Sequence, residues 1–218
     1  MTQEVLEGSG PEDASQVGLG MSLDAVSLTS VGAHLLFTEV NEISAMMAVD
    51  FILKANMVLP PDFPLTLFVN TPGGECSQGF AIINAMQMSR LPIATVGIGE
   101  VASMGMLILS AGTKGMRSVT EETFLMSHQF SAGVFGKQHE LIAARKVHKR
   151  LENLFVRHFL RHSTMSEKQI REILLGPSDC WLTPKECIKY GIIDEIKSPW
   201  EIEDEVKNTK AKKKKKTK

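Results

Sequence analysis

Ser103 stands where a hydroxyl can be made into a nucleophile. A β-like run, Ile93-Ala-Thr-Val96, passes through small residues to this serine, and an apolar, helix-like segment follows and closes at Gly112. A serine between a strand and a helix start lies near free backbone N–H groups and the positive end of the helix dipole, both of which stabilise a developing anion. Its neighbours Ala102, Met104 and Gly105 leave it uncrowded. The plainer reading of the same stretch is a buried helix start with a serine cap.

A serine nucleophile needs a base to take its proton and an acid to orient that base. Of the six histidines, His139, His148, His158 and His162 fall on the polar faces or end of a long helical pattern, where solvation is expected, and His34 falls inside a strand. His128, after a strand-like run and before a Gly-containing loop, is the best-placed base. Asp179 lies in a short loop between two capped helices, where it is a candidate orienting acid and equally a turn former. Gly73-Gly74 follow a buried strand and Pro72, and with the amide of Met104 they offer donors for an oxyanion. Ordinary turns use the same residues.

Elements capable of positioning these groups alternate along the chain. Strands are expected at Val31–Phe37, Leu65–Asn70, Ile93–Val96, Met116–Val119 and Thr123–Ser127. Helices are expected at Glu42–Leu59, where Ile43, Met46, Met47, Phe51 and Ile52 recur at helical spacing before Pro60-Pro61, and at Phe80–Ser89. The longest pattern spans residues 137–162, with Leu141, Ala144, Val147, Leu151, Leu154 and Phe155 in phase. At 1.5 Å per residue it reaches ~38 Å, the length of an arm that packs on another subunit. Ser166-Glu-Lys-Gln169 and Thr183-Pro-Lys-Glu186 are capping boxes, the second helix ending at Gly191. The strand–helix–strand rhythm predicts an α/β fold with right-handed crossovers.

Composition bounds the rest. The 218 residues, 43% hydrophobic, suit one domain with a real core. Aromatics are scarce at 6% and Met is plentiful at 12, so the core is expected to be aliphatic with Met filling gaps. No apolar run approaches the ~20 residues that span a membrane. Cys76, Cys180 and Cys187 lack close pairing and read as reduced thiols of a cytoplasmic protein. The sequence contains no metal-ligand, phosphate-loop or dinucleotide motif, and no cofactor is expected. Seven of the last nine residues are Lys, and taking these from a net charge of −1 leaves −8 on the remainder. Such a tail is expected to be solvated, and neither nucleic acid nor membrane is expected as a partner.

Six blocks, Asn70-Thr-Pro-Gly-Gly74, Ala102-Ser-Met104, Ser110-Ala-Gly-Thr-Lys-Gly115, Met126-Ser-His-Gln129, Asp179-Cys-Trp-Leu182 and Tyr190-Gly-Ile-Ile-Asp194, fall in the order and spacing of ClpP-type caseinolytic proteases. The resemblance covers about Leu35 to Glu195. It implies Ser103 as nucleophile, His128 as base, Asp179 as the orienting acid, the amides of Gly74 and Met104 as oxyanion hole, and Gly73, Gly74 and Gln129 against the substrate. The implied fold is the ClpP/crotonase-like spiral of ββα units with a protruding handle helix at about 137–162. Residues 26–197 would form the protease domain, 1–25 a disordered or axial segment and 198–218 a Lys-rich disordered tail. The implied activity is serine endopeptidase cleavage of unfolded polypeptide inside stacked heptameric rings, a tetradecamer, fed by a AAA+ unfoldase. Phe130 stands where the family has Pro, Thr71 where it has Ser, and Thr66 where Tyr is common. A modulating ring subunit that joins a second ClpP-type subunit is the alternative function. Acyl-CoA chemistry on the same fold would need paired carboxylates such as Glu75 and Glu100.

Overall fold

The computed structural model describes residues 27–197. The expected N-terminal segment, 1–25, and the Lys-rich tail, 198–218, lie outside them. A parallel sheet is the centre of the molecule, with strand order β1 (Ala33–Leu36), β2 (Leu65–Thr71), β3 (Ile93–Ala102), β4 (Arg117–Thr120), β7 (Glu195–Lys197). Helices α1 (Glu42–Val58), α2 (Cys76–Met88) and α3 (Met104–Ser110) connect its first strands. β2 alternates buried and half-buried side chains, and with β1 and β3 on either side it lies inside the sheet.

β3 is longer than the four residues read from the sequence, because the glycines at 97 and 99 hide the alternation that marks a strand. Its length is what turns the sheet toward the site. Thr95–Gly97 pair with β4, whereas Glu100–Ala102 pair with β5 (Phe124–Ser127). Strand β5 then pairs antiparallel with β6 (Cys180–Leu182), Ser127 opposite Cys180. The sequence reading left β6 as loop and named no strand at β7; three-residue strands carry too little pattern to read. Antiparallel pairing at Ser127–Cys180 puts His128 and Asp179, the next residues outward, at one end of one ladder.

Helix α3 is buried along its whole length and carries Met104, Met106, Leu107, Ile108 and Leu109 into the core. Helix α1 turns its small residues inward, Ala45, Ala48 and Ala55 with Phe51 and Ile52, so that it lies close to the sheet. Ile43, Met46 and Met47, three of the residues that mark its helical period, are more than half exposed. Helix α4 (Gln138–His162) buries only Phe155, Val156, His158 and Phe159 near its C-terminal end. Beyond it come α5 (Glu167–Gln169), a π-helical turn at Ile170–Leu174, and α6 (Pro184–Lys189). Both capping boxes form, Ser166 with Gln169 and Thr183 with Glu186. Among the described residues no helix is long and apolar enough to cross a membrane.

Candidate active site

The strand–helix junction gives Ser103 an unusual backbone. Its φ of 53° and ψ of −119° make it the one non-glycine residue with positive φ among the described residues. A conformation of this kind costs ~1–3 kcal/mol and persists only where its surroundings enforce it. The Ser103 N–H donates to the Met126 carbonyl of β5 at 2.9 Å, and the Ser103 carbonyl accepts from the Met106 N–H at 3.0 Å. The sharp turn leaves Oγ directed out of the α3 core.

Oγ meets His128 there, at 2.7 Å from Nε2. For Nε2 to accept the serine proton, the ring proton must sit on Nδ1. Nδ1 faces Asp179 Oδ1 at 3.6 Å, an ion-pair distance but too long for a hydrogen bond. The Asp179 side chain is 59% exposed and that of His128 is 27% exposed. The fold therefore brings all three sequence-selected residues to one place, with the serine–histidine bond closed and the histidine–aspartate contact open.

The Gly73-Gly74 loop lies against the same serine. Gly73 has φ 97° and Gly74 φ 143°, both outside the reach of ordinary L-residues. A β-carbon on Gly73 would stand 2.6 Å from Ser103 Cβ and 3.0 Å from the Met104 nitrogen, and one on Gly74 would run into the Val40 carbonyl. Val40 clamps the loop from both sides: its N–H donates to the Gly73 carbonyl at 2.6 Å and its carbonyl accepts from the Glu75 N–H at 2.8 Å. The Gly73 N–H is taken by Thr71 Oγ1 at 3.1 Å. Neither the Gly74 nor the Met104 N–H has an acceptor among the described residues, and Met104, the first residue of α3, has none available within its helix. Gln129, by contrast, donates its side-chain amide to the Leu175 carbonyl at 2.7 Å, which ties the end of β5 to the π-helical turn.

The other histidines divide differently from the sequence reading. His158 is not solvated. Buried on α4, it lies 2.9 Å from Ser110 Oγ at the end of α3 and stacks on His162, ring centroids 4.6 Å apart. Burial first, and the neighbouring His162 second, push it down to about 3. The signal was present in the sequence: residues 151, 155, 158 and 162 follow the apolar face of α4 at helical spacing. His34 stacks on Phe51 at 5.2 Å, and its burial lowers it. The thiols of Cys76, Cys180 and Cys187 are free, and burial raises each of them, Cys187 to about 12, so none is primed as a nucleophile.

An α/β fold with a serine on a strained strand–helix turn, a histidine bonded to it and two amide donors beside it has the parts of a serine acyl-transfer site. The Clp protease family profile matches residues 27–199, and the chain belongs to that family. It is 35% identical over 132 residues to ATP-dependent Clp protease proteolytic subunit 2 of Thermobifida fusca, a match covering 61% of this chain and 64% of that one. It is 33% identical over 137 residues to the ATP-dependent Clp protease proteolytic subunit of Deinococcus radiodurans, covering 62% and 66%. A third relative, proteolytic subunit 2 of Rhodococcus jostii, is 32% identical over 138 residues, 63% of this chain and 70% of that one. The chain thus spans just under two thirds of the length of the first two relatives.

Proposed function

We propose that this chain is a serine endopeptidase subunit, with Ser103 as nucleophile, His128 as general base and Asp179 as the acid that orients it. The observation that carries the reading is the 2.7 Å contact between Ser103 Oγ and His128 Nε2. His128 takes the hydroxyl proton as Oγ attacks a peptide carbonyl. The Gly74 and Met104 amides receive the oxyanion, and His128 returns the proton to the leaving amine. Water then hydrolyses the acyl-enzyme with His128 again as base. No cofactor enters this sequence of steps.

Residues 26–197 are the protease domain in this reading, and α4 is its handle. Its substrates are unfolded polypeptides, delivered by a AAA+ unfoldase into a cytoplasmic tetradecamer of stacked heptameric rings. Enclosure in such a chamber keeps a general nucleophile away from folded proteins. Outward apolar residues on α1 and α4 support an assembled state.

The open His128–Asp179 contact favours a second reading, a modulating ring subunit whose triad does not close. One experiment separates the two: native mass spectrometry to establish assembly, then a fluorophosphonate probe on the wild type and Ser103→Ala. Labelling at Ser103 in assembled rings, lost in the variant, supports the peptidase. Intact rings without labelling overturn it in favour of the modulating subunit.

A further inference from the structure

The fold opens a pocket of about 660 Å³ that Ser103, His128 and Asp179 do not line. Gln129, the residue after the base, forms its near edge. Its floor is aromatic: Phe130 lies 5.6 Å from the His148 ring and 6.1 Å from the Phe155 ring, centroid to centroid. Three cations stand around it, Arg145 and Lys149 on α4 and Arg171 on the π-helical turn. Glu152 is the one carboxylate in the lining, and it is already held by Lys149 at 3.0 Å and by Arg171. Arg171 is further tied to Glu167 at 2.8 Å. Arg145 is exposed and makes no ion pair among the described residues. The pocket therefore carries an excess of positive charge, one unpaired guanidinium, and apolar walls against which a short aliphatic stem can lie. Those are the complements of an acidic side chain.

Which substrate residue reaches this pocket follows from the chemistry of the base. His128 must protonate the leaving amine, so the chain beyond the scissile bond passes along the His128 side of the site. We propose that the pocket is a subsite for an acidic residue just after the cleaved bond, with Arg145 as its specificity-determining cation. The proposal rests on the peptidase reading of Ser103 and His128. Arg145 acts on binding and discrimination; it takes no part in proton transfer.

The test uses the full chain in its assembled form and three internally quenched peptides that differ only in Glu, Gln or Lys at the position after the cut. Mass spectrometry locates the cut, and fluorophosphonate labelling of Ser103 runs alongside. In the wild type, kcat/KM is expected to fall in the order Glu, Gln, Lys, with Glu about fivefold ahead of Gln, as a part-exposed ion pair provides. Arg145→Glu inverts the order, and the milder Arg145→Gln flattens it. Each variant is read as a ratio between peptides, so a general loss of activity does not mimic the effect. Ser103 labelling with equal rates on all three peptides, with an unchanged order in Arg145→Glu, or with no cleavage of the Glu peptide, overturns the subsite and leaves the peptidase reading standing. Absence of both labelling and cleavage in intact rings removes the peptidase reading and the subsite with it.

Discussion

Ser103 occupies a backbone conformation that glycine adopts freely and serine does not, so its position stores strain in exchange for an exposed Oγ. Two substitutions separate strain from chemistry. Ser103→Ala keeps the strain and removes the proposed nucleophile; under that reading peptide turnover is expected to drop by ~10⁴-fold or more. Ser103→Gly also removes the nucleophile but relieves the backbone, and should be more stable than Ser103→Ala by ~1 kcal/mol in urea unfolding. Equal stabilities would mean that the turn is not strained. His158 belongs to the same scale. Unfolded, it titrates near 6.5; folded, its burial holds it at about 3. Between those values the unfolded chain binds a proton that the folded chain does not. Stability is therefore full above pH 6.5 and falls as the pH is lowered through this window, with a slope approaching ~1.4 kcal/mol per pH unit. Burial lowers His162 too, in the same sense. Urea midpoints from pH 7 to pH 4 measure the slope, and His158→Gln should flatten it.

Elements hold the site through joints that carry no catalytic group. The start of β4 is tied to the residue just before β7 by Arg117, whose guanidinium grips Asp194 at 2.6 and 2.8 Å and donates to the His162 carbonyl at 2.6 Å. Asp194 also accepts from the Gly115 and Arg117 N–H groups. Partial burial opposes its charge, and these hydrogen bonds from Arg117 and Gly115 prevail, so its carboxyl is held below the usual value. One junction thus joins the sheet edge, the C-terminal end of α4 and the loop after α3. Asp194→Ala would leave the 4%-exposed Arg117 side chain without its counter-charge, and a loss of about 3–5 kcal/mol is expected in thermal or urea unfolding. A cost below 1 kcal/mol would mean that water replaces the carboxylate. The β5–β6 ladder is the corresponding joint at the site, since it alone relates the approach of Asp179 to the position of His128.

At the scale of the whole molecule, large apolar side chains remain outside. Ile142 and Val147 on α4, Phe135 in the loop before it, and Met46, Met57 and Val58 on α1 are all more than half exposed. A surface of this kind on a monomer is a contact waiting for a partner. In the proposed assembly the handle joins one ring to the other. The double substitution Ile142→Glu and Val147→Glu is expected to reduce the largest species in native mass spectrometry from a tetradecamer to a single heptamer while leaving far-UV circular dichroism unchanged. An undiminished tetradecamer would exclude these two positions of α4 from the ring contact.

Composition, period and capping determined much by themselves. The bounds of α1, the long α4, both capping boxes and the buried strand before Gly73-Gly74 were legible because each rests on local signals a few residues apart. So were Ser103, His128 and Asp179 as residue types in suitable local settings. Only the tertiary structure decided how they meet. It extended β3 through its glycines so that one strand could serve β4 and then β5. It formed β6 from three residues too few to show a pattern, and buried His158 where a polar face was expected. It turned the alanines of α1 inward and its methionines outward. The cause is common to all of these: strand partners, burial and the 3.6 Å between His128 and Asp179 depend on contacts between segments far apart in the chain, where local propensity has no say.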